Sequence, residues 1–155
     1  MKRSMRIALA AAGIAGVMAA IPAHADDLKG QWLFDTSKFE GDCTIKGVMT
    51  FTPTPTPNSY TCLFISEQIC GPQKGDLYIK VKQTCTATKI GSQVAVKSAV
   101  AQIIAFRPKE GFAPGYLADN FIVTMSKNRT EMLGGHYDEL RQLKAHFWRD
   151  VDLIS

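Results

Sequence analysis

Four cysteines, Cys43, Cys62, Cys70 and Cys85, and a short titratable run, His136-Tyr137-Asp138-Glu139, are the residues with the most reactive potential in this chain. The cysteines suit either a metal site or disulfides. No Cys-x-x-Cys pair occurs, and His136 and His146 lie far from the cysteines in sequence, which argues against zinc. We therefore expect no metal. The His136–Glu139 run, with His146, could form an acid–base or hydrolase site, but consecutive polar residues between two elements also describe a solvated turn. No Gly-x-Ser-x-Gly, His-Glu-x-x-His or phosphate loop is present, so no catalytic residue and no cofactor is predicted. Met125 and Met132 have the spacing of core residues on paired strands, not of copper ligands.

The compartment decides how the cysteines are read. Residues 1–25 resemble a cleavable export signal: Lys2, Arg3 and Arg6, an uncharged apolar stretch from Ile7 to Ile21, and a small-x-small exit at Ala23-His24-Ala25. A cut after Ala25 leaves residues 26–155 as one mature domain. It also removes three of the 18 basic residues and none of the 14 acidic ones, so the mature balance is 15 against 14. No cationic face remains for nucleic acid. The mature part has no apolar run long enough to span a membrane as a helix. Periplasmic or secreted localisation follows, and four cysteines in an oxidising compartment then read as two disulfides.

The mature sequence alternates with period two. From Leu77 to Ala87 the odd positions are mostly apolar and the even ones mostly polar, as in a half-buried strand. After a turn near Ile90-Gly91, Val94, Val96, Val100, Ile104 and Phe106 form an even-numbered apolar face. The expected hairpin pairs 87 with 94 and 85 with 96. Leu28, Gly30, Trp32 and Phe34 share a face upstream, followed by Ile45, Met49 and Phe51, then Tyr60, Cys62 and Phe64. Downstream come Phe121, Val123 and Met125, then Met132, then Leu143, Ala145, Phe147 and Arg149. Pro53–Asn58, Gly71–Gly75 and Pro108–Gly115 read as connections. The fold class is all-β: an eight-stranded antiparallel up-and-down barrel. The alternative at 138–148 is a short helix, since Tyr137, Leu140, Leu143 and Phe147 also follow helical spacing. A strand there would remove the open edges of the first and seventh strands.

The turn centres select a disulfide pairing. Residues 43 and 70 are symmetric about 56.5, inside the Thr-Pro turn, and 62 and 85 about 73.5, inside Gly71–Gly75. Cys43–Cys70 and Cys62–Cys85 would then face each other across neighbouring strands, close enough to bridge.

Gly30-Gln31-Trp32 on the first strand, with Arg149 at the inward end of the last, resembles the structural signature of the calycin superfamily. That superfamily includes lipocalins and a family of bacterial periplasmic protease inhibitors. The resemblance implies a closed barrel with the Arg149 guanidinium stacked on the Trp32 indole by cation–π attraction. The inhibitors insert an amino-terminal arm into a protease cleft. Only Asp26 to Lys29 precede Gly30 here, a short arm for that mechanism.

Three functions follow in order of preference. The first is a non-catalytic, protein-binding or protease-inhibitor-like barrel, which requires a solid interior. The second is a carrier of a small apolar ligand, which requires a cavity of a few hundred Å³. A hydrolase at His136–Glu139, the third, requires those side chains to converge with His146. The Arg107–Asn120 loop, with Phe112 and Tyr116, is either a contact surface or a lid whose aromatics plug the barrel.

Overall fold

The computed structural model describes residues 27–108 and 115–149. The predicted export signal, its cut after Ala25, and Phe112 lie outside the described residues. Eight strands follow one another around a closed antiparallel barrel in sequence order. They are β1 (Gly30–Thr36), β2 (Thr44–Pro53), β3 (Ser59–Ile69), β4 (Tyr78–Ile90), β5 (Gln93–Arg107), β6 (Asn120–Met125), β7 (Glu131–Tyr137) and β8 (Gln142–Trp148). A 3-10 turn at Pro72–Lys74 joins β3 to β4. No helix among the described residues is long and apolar enough to cross a membrane.

Alternation sets the lining. Trp32, Phe34, Ile45, Met49, Phe51, Phe64, Phe121, Met132 and Phe147 are all buried. Phe34, Phe64, Phe121 and Phe147 meet near mid-barrel with ring centroids 5.0–6.2 Å apart, mostly edge to face, the arrangement that aromatic quadrupoles favour. Gly47 on β2 also faces inward. A Cβ there would lie 2.2 Å from the Ile65 carbonyl oxygen and 2.7 Å from the Phe34 ring, so the aromatic cluster depends on the missing side chain.

Cys43 bonds to Cys70 and Cys62 to Cys85. Thr44 pairs with Ile69 and Cys62 with Cys85 in the ladders, so both turn centres match the strand register. All four cysteines are buried.

Two expectations need correction. The β4–β5 hairpin turns at Gly91-Ser92 and pairs Ala87 with Val96 and Cys85 with Ser98. The expected register was two residues short, a slip that leaves every side chain on its own face. Register shifts at Lys80/Val81 and Lys82/Gln83 then put Ile103 opposite Val81, while Ile104 is 45% exposed. A simple alternation cannot survive bulges, each of which adds a residue to one strand. The described pairing of β5 with β6 covers Gln93 to Val96. The eighth strand expected from the alternation is present at 142–148, and the helical alternative there is not taken up. Asp138 accepts hydrogen bonds from the Leu140 and Arg141 backbone N–H groups at 2.8 and 2.7 Å and from Arg141 Nε at 2.8 Å, closing a tight turn. Leu140, which a helix would bury, is 81% exposed at its tip. β8 bonds to both β1 and β7, and that doubled backbone pairing outweighs local helix preference.

Candidate functional site

At one end of the barrel the Arg149 guanidinium lies 4.3 Å from the Trp32 ring centre. It also donates to the backbone carbonyls of Lys29 at 3.1 Å and of Asp27. Trp32 Nε1 donates to the Leu28 carbonyl at 2.9 Å, and Leu28 is fully buried. Gly30 adopts φ +104°, where an L side chain is strained, and Arg149 Nη1 would be 3.5 Å from its Cβ. The residues expected from the signature, Gly30, Trp32 and Arg149, are thus brought together. They hold the segment before β1 across the barrel end, with Asp27 also near Lys89 and Arg129 at 3.5 and 3.3 Å.

Toward the other end lies a buried polar network. Asp119, at 1% exposure, accepts from Gln83 Nε2 at 2.6 Å and from the Tyr116 hydroxyl at 2.9 Å on one oxygen. The other oxygen lies 2.8 Å from His136 Nε2. A carboxylate only accepts, so Nε2 carries the proton. Gln83 Nε2 also donates to Ser66 at 3.0 Å, and Gln83 Oε1 accepts the Asp119 backbone N–H at 3.0 Å. Burial, and after it the Asp119 charge, push the Tyr116 phenol well above the usual tyrosine range, so it remains a donor at neutral pH. His136 Nδ1 is buried with no hydrogen-bond partner among the described residues.

The network corrects one expectation. His136 is not in a solvated turn; it sits on β7 opposite Phe121, fully buried. His146 lies on the outer face of β8 beside Trp148, with ring centroids 5.1 Å apart, so the barrel wall separates the two histidines. Of the two readings of Tyr116, the bond from its hydroxyl to buried Asp119 favours the lid, with the ring itself half-buried. Gln83, Ser66 and Asp119 escaped the sequence reading. The signal available was a glutamine on the inward parity of the cleanest strand.

The outer wall carries a second pattern. Glu131, Trp148, Leu33, Val48, Ile65 and Lys82 are successive cross-strand partners from β7 through β8, β1, β2 and β3 to β4. They form one row across the strands, with four apolar side chains between an acid and a base. The next row reads His146, Asp35, Lys46, Glu67, Lys80, alternating in charge from Asp35 to Lys80. Lys80 Nζ and the Tyr78 hydroxyl each lie 3.1 Å from Glu67 Oε1. The hydrogen bond from Lys80, outweighing desolvation, holds the Glu67 carboxyl below its usual range. The apolar row floors a groove of about 460 Å³, with Gly47 at its base and Lys46, Glu67 and Lys80 on its rim. Trp148 was not singled out from the sequence, although an aromatic on the polar parity next to Phe147 was a readable sign.

Comparison with known proteins returned no matching family model, no matching curated protein and no matching solved structure.

Proposed function

We propose that this chain is an exported, non-catalytic, calycin-like barrel that binds a protein partner through its outer surface. The observation that carries the reading is the packed lumen: the six largest fully buried side chains, Trp32, Phe34, Phe51, Phe64, Phe121 and Phe147, occupy the space an apolar ligand would need. Eight strands enclose little more than their own side chains. Two buried disulfides fit an oxidising compartment, in keeping with the signal-like residues 1–25. The stack of Arg149 on Trp32 supports the calycin-like assignment.

The titratable groups support a structural role. Both Asp119 oxygens are occupied by donors of the same chain, and Asp119 and His136 have essentially no exposed surface. Groups sealed this way cannot reach a substrate. An inhibitor-like arm finds no support in the segment before β1, because Leu28 is buried and Asp27 is held by Arg149. The apolar groove with its mixed-charge rim has the composition of a protein contact. In-cell cross-linking of the exported protein tests the reading. A discrete protein adduct is expected; a chain that cross-links to no protein and carries a stoichiometric lipid would overturn it.

A further inference from the structure

We infer that the outer groove receives an amphipathic helix of the partner, lying across the strands with its amino terminus over Glu131 and its carboxyl terminus over Lys82. The inference rests on the protein-binding reading and specifies its partner. Trp148, Leu33, Val48 and Ile65 lie on four adjacent strands. At about 4.8 Å per strand they make an apolar strip about 14 Å long. Apolar residues at i, i+4 and i+7 of a helix span about 10 Å, so two to three turns cover the apolar strip, and about 16 residues reach the five strand spacings, about 24 Å, from Glu131 to Lys82. A peptide lying along the strands would meet only one or two of these residues before reaching Lys46 or Thr50, which neighbour Val48 on the same outer face of β2. Side chains, not free backbone, line the floor, which suits a helix and not an added strand.

Charge fixes the direction. The strip ends at Glu131 on one side and at Lys82 on the other. A helix carries partial positive charge at its amino end and negative charge at its carboxyl end, so the two termini complement those ends in one orientation only. Glu67 is neutralised by Lys80 at 3.1 Å.

The test places a photoreactive benzoylphenylalanine at Leu33, Val48 or Ile65 of the full exported chain, with Ile90 and Ile122, exposed at 74% and 46%, as control sites. Adducts from the groove sites are expected to map to one partner segment at spacings of three, four or seven residues. The contact from Leu33 should lie amino-terminal to that from Ile65. Exchanging the end charges, Glu131→Lys with Lys82→Glu, should lower the adduct yield about 5- to 10-fold. Scattered sites, reversed order, or protein adducts from the control sites alone would overturn the helix inference and leave the protein-binding reading standing. The absence of a protein adduct from every site would overturn both.

Discussion

Replacing Asp119 by alanine should be among the most damaging single changes outside the aromatic cluster. Three donors point at its carboxylate: Gln83 Nε2, the Tyr116 hydroxyl and His136 Nε2, at 2.6, 2.9 and 2.8 Å. Gln83 keeps Ser66 as an acceptor at 3.0 Å, whereas His136 loses its acceptor in a fully buried site and Tyr116 loses its in a half-buried one. Each buried donor left unsatisfied costs about 1–3 kcal/mol, so Asp119→Ala should cost about 2–5 kcal/mol. That is a large share of the 5–15 kcal/mol that typically separates folded from unfolded states. Urea titration followed by fluorescence of Trp32 and Trp148 reads the loss as a midpoint about 1–3 M lower. The partner variant is as informative. Once His136 is phenylalanine, one of the orphaned donors no longer exists, so Asp119→Ala added to His136→Phe should cost less than the two single effects together. A loss below about 1 kcal/mol, or strict additivity, would refute the argument that this network is a mutually satisfied unit.

Removing the Cys43–Cys70 bridge by paired serine substitutions should lower stability by about 3.5 kcal/mol, from the unfolded-state freedom of a loop of 27 residues; an unchanged urea midpoint would contradict this. Gly47→Ala forces a Cβ to within 2.2 Å of the Ile65 carbonyl oxygen and should cost about 1–3 kcal/mol, read by the same titration. Glu67 has a folded-state pKa below its unfolded one, so its contribution is present above the usual carboxyl range and fades as pH falls. Because the pair is partly exposed to solvent, that contribution is under about 1 kcal/mol. Glu67→Gln should therefore flatten the acid limb of the stability curve slightly, and an unaltered limb argues against the pair.

The barrel was legible in the sequence because each strand writes its inward face in every second residue. Trp32, Phe34, Met49 and Phe121 needed no knowledge of their neighbours to be assigned. The disulfides were legible because turn centres fix register, and register fixes which cysteines meet. What the sequence hid depends on contacts between distant segments. Ile103 and Ile104 differ only in which one follows a bulge, which alternation cannot register. His136 has the same parity as Met132 and could have been read as inward. Its polarity suggested solvent because its partner, Asp119, comes from a loop 17 residues away. The outer row from Glu131 to Lys82 exists only once five neighbouring registers are known, so no linear pattern announces it.

The central claim is that the lumen is filled by the chain itself and that binding happens outside. Native mass spectrometry of the exported protein, purified without detergent, tests it most directly. The account predicts the bare mature polypeptide with two disulfides and no retained small molecule. A stoichiometric apolar ligand whose removal shifts the NMR signals of Phe34, Phe64 and Phe121 would contradict it.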